Sequence, residues 1–139
     1  MPIQLMWDTP TNQIVRVSFQ GGWSWSDFQE MLTVLTSLLE GDMPAKGFIF
    51  AFSPTARPPR GNANIHLKRL QRYVEGKPFW VVTSDAAIKM QLNQVFEQIG
   101  FQQEKQYHYV ASVIEARLAA KVALATPTAP LVPPSATPS

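Results

Sequence analysis

The chain has 139 residues, 45% of them apolar, which is enough for one hydrophobic core and too little for two ordinary domains. It contains no cysteine, which excludes a disulfide framework and thiolate metal sites and points to a reducing cytoplasm; no charge-free apolar run reaches the ~20 residues that span a bilayer, and residues 1–7 have neither a basic n-region nor a long apolar h-region. The net charge of +2 hides a local excess, since residues 1–56 carry −3, residues 57–77 carry +5 and residues 78–139 are neutral.

Residues 3–7 and 13–19 read as a hairpin. Val15, Val17 and Phe19 alternate with Arg16 and Ser18 at period two, and Asp8, Thr9, Pro10 and Asn12 supply the turn. Gly21 and Gly22 break the second strand. Ser24 then offers a helix N-cap with Asp27 three residues on, an acidic variant of the capping box, and Trp23 is placed to staple onto Phe28. Phe28, Met31, Leu32, Leu35, Leu38 and Leu39 follow at helical spacing, and Gly41 predicts a left-handed C-cap. Residues 47–52, apolar on both faces, read as a central strand covered by helices on each side.

In the loop that follows, two prolines and two arginines lead to Asn62 or Asn64 as the cap of a second helix, with Ala63, Leu67, Leu70 and Val74 as its inward stripe. Residues 79–83 form another buried strand, and Ser84 and Asp85 are an N-cap pair for a third helix bearing Ile88, Leu92, Val95, Phe96 and Ile99, closed by Gly100. Residues 107–110 give the last strand. Ser112 and Glu115 make a capping box for a fourth helix through Ile114, Leu118 and Val122. The order is β-β-α-β-α-β-α-β-α, an α/β domain over residues 1–124 with a mostly parallel central sheet and helices packed on it. Residues 125–139 are expected to be a disordered Pro-rich C-terminal tail, because this stretch has no charge and little apolar surface to offset its ordering entropy.

Ligands of such folds bind beyond the carboxyl ends of the strands. Of those ends, residues 53–64 are the richest, because Gly61, Asn62, Ala63 and Asn64 would present backbone N–H groups at a helix start beside Arg57 and Arg60. With Lys68, Arg69 and Arg72 on the same helix, Arg57, Arg60, Gly61, Asn62 and Asn64 form the candidate site for an acidic protein partner or a small anionic ligand. The bland alternative is a solvated loop and a basic outer helix face. No Gly-rich, lysine-bearing phosphate loop accompanies them, and a nucleic-acid surface would need aromatics interleaved with the basics, where only Tyr73 stands. Trp23, Trp25 and Phe28 are candidates to line an apolar pocket for a lipid-like ligand, with core packing as the alternative. His66 and His108 lack any metal-ligand spacing, no G-x-S-x-G elbow occurs, and Asp85 is explained by capping. The residues predict no catalytic machinery, no metal and no cofactor.

The stretch 23–28 (Trp-Ser-Trp-Ser-Asp-Phe) after a short hairpin, the strand 47–53 (Gly-Phe-Ile-Phe-Ala-Phe-Ser), the loop to a helix at Asn62, and the strand 79–84 (Phe-Trp-Val-Val-Thr-Ser) resemble the STAS fold. This fold is shared by sulfate transporters, anti-sigma-factor antagonists and bacterial SpoIIAA-like relatives, and the resemblance covers residues 3–124 through element order and local texture. Phosphorylated members of that family begin the helix after the central strand with an Asp-Ser-Ser-Gly type motif. Here the matching residues are Gly61, Asn62, Ala63 and Asn64, with no hydroxyl, so a serine phospho-switch is not expected. The resemblance implies a non-enzymatic, cytoplasmic bacterial regulatory module that docks a protein near that helix start; a carrier of a small anionic or lipid-like ligand is the second reading.

Overall fold

Alternation in the first strand pair and two-sided apolarity in the next strands call for a sheet whose two faces meet different neighbours. The computed structural model describes residues 2–9, 14–40, 45–59, 61, 63–74, 77–101 and 107–125. In it β1 (Ile3–Thr9) and β2 (Ile14–Phe19) pair antiparallel, with Phe19 opposite Ile3 and Val15 opposite Trp7. Next to β2, β3 (Gly47–Phe52), β4 (Phe79–Val82) and β5 (Tyr107–Val110) add in parallel, so the sheet order is β1-β2-β3-β4-β5. Parallel neighbours need a crossover, and α1 (Trp25–Leu39), α2 (Ala63–Val74) and α3 (Ala86–Ile99) supply the three required; α4 (Val113–Ala125) follows β5. This is the predicted element order and a mostly parallel α/β sheet.

Strand alternation assigns the helices to faces. Val15, Val17, Phe19, Phe48, Phe50, Phe79, Val81 and Tyr107 point to one side, where they bury against Phe28, Met31, Leu32 and Leu35 of α1, Leu67, Leu70 and Val74 of α2, and Ile88, Leu92 and Phe96 of α3. Ile14, Ile49, Trp80 and Val82 point to the other side and, among the described helices, meet α4. The predicted inward stripes of α1, α2 and α3 are therefore the observed ones, apart from Leu38, Leu39, Ala63, Val95 and Ile99, which are only partly buried.

Local signals formed as short-range chemistry requires. Ser24 Oγ accepts from the Asp27 N–H at 3.1 Å and Asp27 Oδ2 accepts from the Ser24 N–H at 2.9 Å, closing the predicted box. Asp85 caps α3 by accepting from the Ala87 and Ile88 amides, and Gly100 closes it at φ +95, a left-handed turn that glycine adopts without strain. At α4 the box is displaced by one residue: Ser112 Oγ accepts from the Glu115 N–H, but the Glu115 carboxylate accepts from the Ala111 N–H rather than that of Ser112. The predicted Gly41 cap and residues 126–139 lie outside the described residues.

The fourth helix differs from expectation in its orientation. Ile114, Leu118 and Val122 are 66%, 61% and 67% exposed, while Ala116 and Ala120 are fully buried against the sheet with Val113 and Ala119 beside them. Small inward side chains let the helix axis lie close to the bulky Ile49 and Trp80. A bidentate ion pair adds to this seat: Arg117 Nε and Nη2 donate to the two Asp8 carboxylate oxygens at 2.7 and 2.9 Å, and Arg16 approaches the same carboxylate at 3.2 Å. The hydrogen bond to Asp8 holds the Arg117 guanidinium above its ordinary pKa.

Candidate functional site

Because α1 and α2 follow adjacent strands onto the same sheet face, the outer edges of the two helices run side by side. Two crossings tie them. At one end the His66 ring stacks on Trp25, centroids 4.7 Å apart and planes 11° from parallel, and Gln29 Nε2 makes a long 3.5 Å contact to His66 Nδ1. At the other end the Tyr73 hydroxyl lies 2.8 Å from Thr36 Oγ1. Thr36 donates its own proton to the Leu32 carbonyl, so Tyr73 is the donor between the two hydroxyls.

Beside these ties an open groove of about 900 Å³ is lined by Gln29, Thr33 and Thr36 of α1 and by Ile65, Lys68, Arg69 and Arg72 of α2. Among the described residues its lining contains no carboxylate. The ion pairs of the described residues centre on Asp8, far away on the other side of the sheet, so Lys68, Arg69 and Arg72 keep their charge unneutralised by any described carboxylate. The field reaches His66: burial first, and the nearby Arg69 second, lower its pKa from the ordinary 6.5. A neutral imidazole at neutral pH stacks on Trp25 without adding a fourth charge.

The structure thus brings together Lys68, Arg69 and Arg72 among the predicted site residues. Arg57 is exposed in the loop after β3 and does not line the groove. Gly61 turns the chain into α2 at φ +80, and the Asn64 amide donates to Gln98 on α3, on the side away from α1. Arg60 and Asn62 lie outside the described residues. Among the described residues, the cations that line the groove are those along α2. Sequence reasoning missed the α1 wall, although Gln29, Thr33 and Thr36 at i, i+4 and i+7 form a polar row on one helical face that a partner helix could have been expected to border.

The aromatic candidates form core. Trp23 and Phe28 are buried, Trp25 is partly so, and Trp23 donates its indole N–H to the Ala56 carbonyl at 3.2 Å, which fastens the loop after β3 to the segment entering α1. Gly21 supports the same junction, since a Cβ there would stand 2.6 Å from Thr55 Oγ1. Among these rings the free space is about 20 Å³, room for one water and not for an acyl chain. Of the two readings of Trp23, Trp25 and Phe28, core packing is the one this small space favours.

His66 sits on the helix side that bears α1 to α3, whereas His108 stacks on Trp80 on the α4 side; the Asp85 carboxylate is occupied by amides of α3. These three share no cleft. Among the described residues no group of three His, Cys, Asp or Glu is disposed to hold a metal, and no helix is long and apolar enough to cross a membrane.

No protein-family model and no curated protein matches the sequence. Among solved structures, a single-substitution variant of RsbS from Moorella thermoacetica superposes with a TM-score of 0.64 at 12% identity, covering 91% of this chain and 100% of that one. A likeness at that identity speaks for the fold.

Proposed function

We propose that this chain, which has the STAS/SpoIIAA-like fold, is a non-catalytic, cytoplasmic protein-interaction module of regulatory type that docks an acidic segment of a partner protein in the α1–α2 groove. The observation that carries the reading is the concentration of Lys68, Arg69 and Arg72 along a groove whose lining, among the described residues, has no acidic side chain. Like charges on a helix face repel one another and gain by meeting carboxylates, which steer association and set its register. Gln29, Thr33 and Thr36 offer hydrogen bonds to a partner backbone, and the exposed Ile65 offers an apolar contact at the groove. The absence of a hydroxyl at residues 61–64 supports a module that works without a serine switch at that helix start. The dispersal of His66, His108 and Asp85 supports a non-enzymatic role.

A photo-crosslinking residue at Ile65, installed in the native host, tests the reading against the same residue at Met90, which is equally exposed on α3. Discrete crosslinked protein from Ile65, absent from Met90 and lost on reversing Arg69 and Arg72, is the expected result. Equal products from both sites, or products indifferent to the reversal, would reject it.

A further inference from the structure

Arg69 and Arg72 stand three residues apart on α2, so they share one helical face, ~4.5 Å apart along the axis and with Cβ atoms about 5–6 Å from each other. Both are exposed and both line the groove, with Lys68 beside them. Two guanidinium forks at that spacing can close on one anion. A carboxylate presents two coplanar oxygens and a single charge, whereas a phosphoryl monoester presents three terminal oxygens in a tetrahedral array and a charge of about −1.5 to −2. The phosphoryl group therefore answers two forks and a neighbouring ammonium more fully, in charge and in oxygens.

The opposite wall suits the same guest. Gln29 and Thr33 of α1 are neutral, and no described carboxylate lines the groove to repel a dianion. The other polar groups of the lining are engaged within the protein: the Thr36 and Tyr73 hydroxyls hold each other, and Gln71 donates to the Ile99 carbonyl. Recognition of an anion thus falls to the cations of α2.

We propose that the acidic segment docked in the α1–α2 groove is a phosphorylated one, its phosphoserine or phosphothreonine held between Arg69 and Arg72 with Lys68 as a third cation. This rests on the docking reading given above and adds the chemistry that selects the partner. The groove also sets a preference beside the phosphoryl group. Ile65 is 56% exposed and lies one helical turn, ~6 Å along the axis, before Arg69. An extended chain advances about 3.3 Å per residue, so a segment running along α2 brings the side chain two positions from the phosphoresidue over Ile65. That position is expected to be apolar. Docking is then conditional on a kinase that acts on the partner rather than on this chain, whose own residues 61–64 carry no hydroxyl.

NMR titration of the isotope-labelled full chain with N-acetyl-phosphothreonine amide, against N-acetyl-glutamate amide as the carboxylate control, tests the assignment. The phosphate compound is expected to shift the resonances of Lys68, Arg69 and Arg72 and to bind roughly tenfold more tightly than the glutamate compound. Arg69→Lys and Arg72→Lys keep the charge and remove the fork, so each should weaken the phosphate compound roughly three- to fivefold and leave the glutamate compound nearly unchanged. Equal affinity for the two compounds, no shift up to about 50 mM, or indifference to the lysine substitutions overturns the proposal. A second arm separates it from the docking reading. The partner crosslinked at Ile65 should bind roughly tenfold more weakly, or worse, after phosphatase treatment. A partner that binds as well without its phosphate overturns the phosphoryl assignment and leaves docking intact, whereas no crosslinked protein at Ile65 removes both.

Discussion

Replacing Asp8 with asparagine measures what fixes the last helix to the first strand. The carboxylate is fully enclosed, with 0% side-chain exposure, and it receives Arg117 at 2.7 and 2.9 Å and Arg16 at 3.2 Å. Asparagine keeps the shape and removes the charge. Breaking a fully buried ion pair costs about 3–5 kcal/mol, whereas an exposed one is worth about 0.2–1 kcal/mol. Here the anion is enclosed but the guanidiniums of Arg16 and Arg117 are 22% and 41% exposed and can recover part of their hydration, so the expected loss falls between, at about 2 kcal/mol. Arg16 has little in reserve, since its buried Nε already lacks a hydrogen-bond partner. Arg117→Gln leaves Asp8 with Arg16 and should cost less, about 1 kcal/mol, and the double variant should lose less than the two singles together. Urea unfolding at neutral pH provides all three values. A loss under about 0.5 kcal/mol for Asp8→Asn, or strict additivity, would mean that water already solvates the triad and that alanine packing alone seats α4.

Three further outcomes follow from the geometry. Gly21→Ala should cost about 1–3 kcal/mol in thermal unfolding, because its Cβ would stand 2.6 Å from Thr55 Oγ1; adding Thr55→Ala, which removes that oxygen, should recover most of the loss. His66 should titrate below 6.5 by NMR, with Trp25→Ala raising its pKa more than Arg69→Gln, since burial outweighs the neighbouring charge. The native state then binds fewer protons than the unfolded chain just below 6.5, so stability should fall as pH drops through that value and level off once the folded imidazole is also protonated. Ala116→Leu should destabilise by about 1–3 kcal/mol through overpacking against the sheet, while Ile114→Ala changes stability by less than about 0.5 kcal/mol at low concentration; the reverse ranking would mean that α4 is turned the other way.

Much of the fold was legible because its signals are local. The box of Ser24 and Asp27, the Asp85 cap and the Gly100 turn each depend on a few adjacent residues, and the stripes of α1, α2 and α3 are single apolar rows with only one way to face inward. In α4 that logic fails, because the row through Ile114 and the row through Ala116 are both apolar, and periodicity has no means of choosing between them. The sheet chose: Ile49 and Trp80 fill the space beneath the helix and leave room only for alanines. The basic stretch was visible as charge, and Lys68, Arg69 and Arg72 within it line the groove, while Arg60 and Asn62 at the start of α2 lie outside the described residues. The surroundings of the stretch depend on which helix lies alongside, and the α1 wall follows from the sequential strand order β1 to β5 rather than from anything within residues 57–77. Trp23 and Phe28 could be read as aromatic, but only packing reveals that the space among them is closed.

The most direct test is the affinity of wild type and the Arg69→Glu, Arg72→Glu double variant for the partner crosslinked at Ile65, compared at low and high salt. Two attractions become two repulsions, which at rim-contact strengths sum to about 2 kcal/mol, or roughly 30-fold weaker binding at low ionic strength, and the gap should narrow as salt screens it. The melting curve should hardly move, since neither arginine pairs with a described carboxylate. Equal affinities at low salt would contradict the account, because the groove's charge would then play no part in docking.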